Sequence, residues 1–226
     1  MFSITGGKME LWTYWLSAIQ CLLNFLSSQA GLGEGLGIVA LTVLLRTMIL
    51  PLSWRVAYRG CIRQKKMVQL QPELARLKLE LGDEPRIYAE RMMKLYREHG
   101  VAVMDWRSVL GSLIQMPLFL GVYQTLRAGA NVARFLWIET LSRPDPWFAV
   151  LAGLTTMLMM AANPDLPEQM RLMLILVPSI LAAVAALKFC SALAVYWTVS
   201  NCYSAAQTGV LHYVVARRIK SGAVSI

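Results

Sequence analysis

The sequence predicts an all-α, polytopic membrane protein, and three observations carry that prediction. Of its 226 residues, 57% are hydrophobic and only 15% charged, against about a quarter charged in an ordinary soluble domain. The apolar residues are gathered into blocks whose lengths suit a helix crossing a hydrocarbon core ~30 Å thick. The charge is gathered as well. Most of the formal net +9 lies in one segment between apolar blocks, where orientation in a membrane explains it more simply than nucleic-acid binding does.

Taken in order, the N-terminal Met1 to Lys8 lacks the n-region, h-region and cleavage site of a signal peptide. Over residues 11–30, Thr13, Ser17, Gln20, Asn24 and Ser27 recur at steps of four and three, making one polar stripe opposite Trp15, Ile19, Leu22 and Leu26. An uncharged helix of this kind is expected to lie in the outer membrane interface, with Trp12, Tyr14 and Trp15 at headgroup level. A spanning helix is the alternative. A glycine-rich hinge, Gly31 to Gly37, follows, so residues 1–34 read as one extracytoplasmic unit. Residues 35–226 read as a five-helix core with spans at about 35–52, 108–127, 147–163, 171–187 and 191–213.

Orientation follows from the basic residues. Segment 53–107 carries twelve Lys or Arg and the tail adds Arg217, Arg218 and Lys220, whereas loop 128–146 has only Arg134 and Arg143. Four spans separate the basic segment from the tail, so both fall on one side, which the positive-inside rule makes cytoplasmic. The N-terminus is then outside. Within 53–107, Leu70, Leu74, Leu77 and Leu81 form one seam and Tyr88, Met92 and Leu95 another. Between them Gly82-Asp83-Glu84-Pro85 is a turn and helix start, and Gly100 is a C-terminal stop. A cytoplasmic, coiled-coil-like helical hairpin is expected.

The sharpest candidate is Arg46, inside the first span. A charge there costs from ~2.5–3.5 kcal/mol on insertion scales to ~10–17 in simulations, so it marks function unless it snorkels toward Leu52, roughly 9 Å away at ~1.5 Å per residue. Thr42 lies one turn before it on the same face. Ser108, Ser112 and Gln115 share a face of the second span, and Tyr196, Ser200, Tyr203 and Gln207 form a stripe on the fifth. One such stripe is ordinary interhelical hydrogen bonding; three of them around an arginine point to a hydrated cavity. None of the five spans contains Asp or Glu, which argues against a proton-coupled transporter. Met157, Met159, Met160, Met170 and Met173 read mainly as adaptable core filling. There is no GxSxG, HExxH or P-loop, and Cys21, Cys61, Cys190 and Cys202 show no CxxC pairing. His99 and His212 read as surface or interfacial, and Lys188 as an interfacial anchor. No catalytic residue, metal or cofactor is expected.

These residues also carry a resemblance. Gly35 to Leu52, with its arginine, resembles the first core helix of the YidC insertases, and Met67-Val-Gln-Leu-Gln-Pro72-Glu-Leu the start of their cytoplasmic hairpin. Leu113-Ile-Gln115-Met116-Pro117 to Tyr123 is similar to the second core helix. Leu136-Trp137-Ile138, Asp145-Pro146 and Leu193-Ala-Val-Tyr196-Trp197-Thr-Val-Ser200-Asn201 follow in the family's order. The resemblance runs from about residue 11 to 218. It implies a hydrophilic groove open to cytoplasm and lipid but closed outside, with Arg46 as the groove arginine and Thr42, Gln115, Tyr196 and Ser200 at matching positions. It also implies nascent membrane proteins and the lipid bilayer as partners, with ribosome and Sec translocon as further ones and no nucleic-acid specificity.

Departures are Val101-Ala-Val-Met-Asp-Trp-Arg107 before the second span and Lys188-Phe-Cys-Ser-Ala192 before the last. The large periplasmic domain and long basic tail of many members have no counterpart, which suits a specialised paralogue as well as a housekeeping insertase. A small-solute transporter or channel, or a non-catalytic assembly subunit, is the alternative function.

Overall fold

The computed structural model describes residues 4–81, 84–101, 117, 119–126, 134–164, 166 and 168–222, with the backbone alone for 4–9, 168 and 169. All its regular elements are helical. They are α1 (Ile4–Asn24), a π-helical turn (Phe25–Gln29), α2 (Gly33–Gln69), α3 (Gln71–Leu81), α4 (Pro85–Glu98), a helical stretch at 119–126 labelled α5, α6 (Pro146–Ala161), α7 (Glu168–Ala186) and α8 (Ser191–Lys220).

The apolar face of α1 is turned onto protein. Ile19 and Leu23 are buried, with Trp15, Leu22 and Leu26 beside them. The Trp12 indole donates to Gln124 Oε1 (3.2 Å) and that of Trp15 to the Pro117 carbonyl (3.2 Å), while Leu11 and Tyr14 remain exposed. The chain then turns through Gly31 and Gly33, whose φ values of 67° and 75° suit residues without Cβ.

Helix α2 runs 37 residues, ~55 Å at ~1.5 Å per residue, and passes through Pro51 without ending. It therefore continues far beyond the apolar run that stops at Leu52. Among the described residues it is the one helix long and apolar enough to cross a membrane by length and composition; Pro146–Ala161 and Met170–Ala186 are shorter apolar helices. After it, α3 and α4 pack together, burying Leu70, Tyr96 and Val101 against Met67, Leu74 and Met92. Pro85 opens α4. Gly100, at φ 64°, closes it: its N–H bonds to the Arg97 carbonyl and the Val101 N–H to that of Tyr96, the pattern of a glycine-terminated helix. The expected turn at Gly82-Asp83 lies outside the described residues.

Helices α2, α6, α7 and α8 make the main bundle, with α6 packed on both α7 and α8. Gly153 lets α6 approach α7 closely: a Cβ there would lie 3.0 Å from the Ala183 Cβ. Asp145 caps α6 by accepting from the Phe148 N–H (2.9 Å) and from the Trp137 indole (3.3 Å). The start of α8 is the most buried part of the molecule, with Ser191 to Tyr196 at 2% exposure or less. Its orphan N–H donors are met by a neighbouring loop, Ser191 N–H by the Arg143 carbonyl (3.0 Å) and Ala192 N–H by that of Leu141 (3.1 Å).

The outside of the bundle is apolar. On α7, Leu172, Met173, Leu176, Val177, Ile180, Leu181 and Val184 are all exposed, as are Val150, Leu154 and Leu158 on α6 and Leu44, Met48 and Leu52 on α2. In water such continuous faces demand a partner. In lipid they need none.

Candidate functional site: a polar seam between two parallel helices

Arg46 and Ser200 meet within the α2–α8 contact. Arg46 Nε donates to Ser200 Oγ at 2.8 Å, and its Nη2 reaches the same oxygen. The arginine is half-buried and Ser200 is buried. Further along the seam Thr47 Oγ1 lies 3.3 Å from the Tyr203 hydroxyl, and the Gln207 amide donates to Ser53 Oγ (3.2 Å). Beyond that come Cys61 Sγ with His212 Nδ1 (3.6 Å) and Arg218 with the Tyr58 hydroxyl (3.3 Å). From Arg46–Ser200 to Cys61–His212 the pairs advance together along both helices, so α2 and α8 run parallel. The basic end of α8 thus lies beside the basic end of α2.

Tyr196, one turn before Ser200, is 2% exposed. Its hydroxyl lies near Ser200 but outside hydrogen-bonding geometry, and among the described residues it has no partner. A buried hydroxyl left so costs ~1–3 kcal/mol unless water or a ligand meets it. Both Tyr196 and Tyr203 are close enough to feel the Arg46 charge. Thr42 is fully buried one turn before Arg46, and its hydroxyl donates to the Ile38 carbonyl (2.7 Å) of its own helix. Phe119 of α5 touches Tyr123, Tyr196 and Trp197 at ring distances of 6.1–6.5 Å, which ties α5 to this part of α8.

Of the six site residues predicted from sequence, the structure therefore brings Arg46, Tyr196 and Ser200 together, with Thr42 adjacent but facing inward. Ser112 and Gln115, like Ser108, lie outside the described residues. The seam also contains residues to which sequence reasoning gave no role. These are Thr47, a polar interruption of the apolar run, and Ser53, the residue just past its end. Asn201 donates to Thr156 Oγ1 (2.8 Å) in a buried pair joining α8 to α6, a contact between distant residues that no local spacing announces.

A second feature lies where α2 passes beyond Leu52. A cavity of about 550 Å³ opens between α2, α8, Tyr96 of α4 and Asn163 after α6. Gln64 and Asn163 hydrogen-bond across it (3.3 Å). Burial, then the neighbouring Tyr88, raises the Tyr96 hydroxyl above the ordinary tyrosine value, so it stays a neutral donor. The legible signal was spacing: Arg46, Ser53, Ala57, Gly60 and Gln64 follow one another at steps of seven, four, three and four, along one face of α2.

An apolar exterior around a seam of arginine, amide and hydroxyl side chains defines the class, an all-α membrane protein. Residues 25–218 match the sequence model of the family described as "60Kd inner membrane protein", and the chain belongs to that family. Among its relatives is a protein named "Membrane protein insertase YidC" from Cellvibrio japonicus, 31% identical over 215 residues, a match covering 92% of this chain and 37% of that one. Another is "Membrane protein insertase MisCA" from Bacillus subtilis, 32% identical over 219 residues, covering 91% of this chain and 80% of that one. A third, a YidC insertase from a Marinomonas species, is 28% identical over 217 residues. The chain spans less than two fifths of the length of the two YidC relatives (37% and 38%).

Proposed function

We propose that this protein is a membrane protein insertase and chaperone of the bacterial inner membrane. It receives nascent membrane proteins in a hydrophilic groove open to cytoplasm and lipid and releases their apolar segments sideways into the bilayer. Arg46, Thr42, Ser112, Gln115, Tyr196 and Ser200 contribute to the groove. The single observation that carries the reading is the Arg46–Ser200 pair with the buried Tyr196 hydroxyl beside it: a polar, charged site that, among the described residues, has no acidic counter-charge and leaves that hydroxyl unmet, set in an apolar bundle. The names of the relatives support the same reading.

On this reading the core has the five spans predicted above and residues 1–34 lie along its outer face. Helices α3 and α4 form the cytoplasmic hairpin, and both basic ends face the cytoplasm with the N-terminus outside. The parallel course of α2 and α8 supports that topology, since first and last of five spans must point the same way. Client chains and lipid are the partners, with ribosome and Sec translocon as further ones, and no residue acts as a chemical catalyst. The physical role is to keep a client's polar flank wet part-way through the membrane, where each bare charge otherwise costs several kcal/mol.

The experiment is reconstitution of the purified chain into liposomes, addition of a single-span client, and scoring of protease-protected fragments. Protection that depends on the protein and needs no nucleotide is expected. Equal protection in empty liposomes defeats the reading, and client-independent leakage of a small solute favours the channel alternative.

A further inference from the structure

Helix α6 presents two stripes. Ala149, Ala152 and Thr156 are buried in the bundle, and Thr156 takes its bond from Asn201 of α8. Trp147, Val150, Leu151 and Leu154, at steps of three, one and three, share another face. With Trp137 they line a cavity of about 580 Å³ on the outside of the bundle. These five walls are apolar, and the one N–H of the Trp137 side chain is already given to Asp145 Oδ1 (3.3 Å).

The Trp137 wall is fixed to the bundle. Its ring stacks on that of buried Phe148, with centroids 5.0 Å apart. Its backbone follows Leu136, whose φ of 54° is the one positive value outside glycine among the described residues, a conformation that bulky side chains rarely take. Mutual bonds between Phe135 and Ile138 (3.0 and 2.9 Å) close that turn. Phe135 in turn lies so close to Gly35 of α2 that a Cβ there has no room.

On the span limits and orientation proposed above, the cavity begins where α6 enters the membrane from outside, the level at which tryptophans collect. From Trp147 to Leu154 it descends ~10 Å at ~1.5 Å per residue, along the direction that lipid tails take. Spread over that length, the volume averages ~8 Å across, narrower than the ~10–12 Å of a helix with its side chains. An extended polypeptide is slimmer, but its backbone N–H and C=O groups would face these apolar walls without partners. A hydrocarbon chain meets neither obstacle.

We propose that this cavity holds one acyl chain of an outer-leaflet phospholipid, retained while the surrounding lipid exchanges. The volume falls in the usual range for pockets that enclose a ligand, ~300–1,000 Å³. The site goes beyond the insertase reading: it uses neither the polar seam nor a client, and it rests on the span limits and orientation alone.

The test uses the full chain in vesicles of phosphatidylethanolamine and phosphatidylglycerol, with a small share of the phosphatidylethanolamine carrying a diazirine in its acyl chain. After solubilisation and washing in lipid-free detergent the sample is illuminated, and labelled peptides are identified by mass spectrometry. Label on residues 147–154 is expected to exceed that on the exposed α7 face, Leu172 to Val184, by about fivefold or more, because only a bound lipid survives the wash. Val150→Trp fills the cavity and is expected to lower the label on 147–154 about fivefold or more while changing that on α7 less than about twofold. Phosphatidylethanolamine added back to the washed protein is expected to raise the Tm of wild type more than that of Val150→Trp. Equal label on α6 and α7, or none on either after washing, means lipid contact without a site and overturns the proposal. Displacement of the label by an unlabelled single-span peptide makes the occupant a helix and overturns it as well, as does retention of a diazirine palmitate in place of the phospholipid. If Val150→Trp does not fold, the distribution of label on wild type decides alone.

Discussion

Arg46→Ala removes the one charge in the first span and should distinguish a working groove from a snorkelling side chain. The arginine is half-buried, and among the described residues it hydrogen-bonds a neutral hydroxyl, that of Ser200, so an incoming carboxylate competes with no acidic partner there. At ~4 Å that attraction is ~1 kcal/mol at the dielectric of water and ~4 kcal/mol at an effective dielectric of 20. A half-buried seam lies between these limits. Taking ~2 kcal/mol at ~1.36 kcal/mol per decade, the substitution should slow insertion of a client with an acidic translocated flank by about 30-fold. A neutralised twin should change less than about threefold, because it loses hydration but no ion attraction. Arg46→Lys should keep most activity, since a cation of similar reach remains. The assay is protease protection in liposomes with paired clients at matched protein level. Equal, normal insertion of both clients by the alanine variant refutes the groove-charge argument. Equal loss of both means that Arg46 is structural or only maintains hydration.

Three further outcomes follow from the same geometry. Lys78→Cys on α3 should react with a membrane-impermeant thiol reagent only after cells are opened, whereas Ser142→Cys in the loop before α6 should react in sealed cells; the reverse pattern inverts the topology. Reporters fused after Met9 and after Glu34 should read the same, outer side, and opposite sides would make α1 a sixth span. Asn201→Leu should destabilise the detergent-solubilised protein by ~0.6–1.7 kcal/mol, the range of interhelical hydrogen bonds in membranes. Adding Thr156→Val should cost little more, and strictly additive losses would show that the two side chains do not interact.

Much of this arrangement is legible in the sequence because its signals are local and periodic. The helical class, the seam of Leu70 and Leu74, the stop at Gly100 and the Arg46 and Ser200 stripes all follow from spacing within one helix. Less legible is what depends on how far a helix continues and what it meets. Pro51 and the end of the apolar run at Leu52 suggest a boundary, yet α2 continues to Gln69. The missing N–H of one proline is outweighed by packing on both sides of it, including Leu45 above and Cys61 with Leu211 and Val215 below. Trp12 and Trp15 read as headgroup anchors, and their hydrogen bonds to Gln124 and the Pro117 carbonyl are contacts that no spacing within α1 announces. His212 looks like a surface residue until α8 lies beside Cys61. No one-helix periodicity contains such pairings.

The seam is also asymmetric along its length, and the asymmetry gives the proposed mechanism a direction. At one end the start of α8 is closely packed: Ser191 to Tyr196 are buried and the Arg143 and Leu141 carbonyls occupy the first N–H groups. From Ser200 onward the facing side chains become hydroxyls, amides and then the basic cavity. On the proposed span limits, Arg46 lies ~9 Å inside the cytoplasmic edge of a hydrocarbon run of ~26 Å. A flank hydrated as far as Arg46 has about a third of the dry path behind it while still in contact with polar groups. On the insertase reading proposed above, the remaining ~17 Å ends at this packed region, and a client's apolar segment leaves sideways past the exposed leucines, valines and methionines of α2 and α6. On that reading the barrier against leakage and the reduced barrier to insertion arise from the same pair of helices, closely packed at one end and polar at the other.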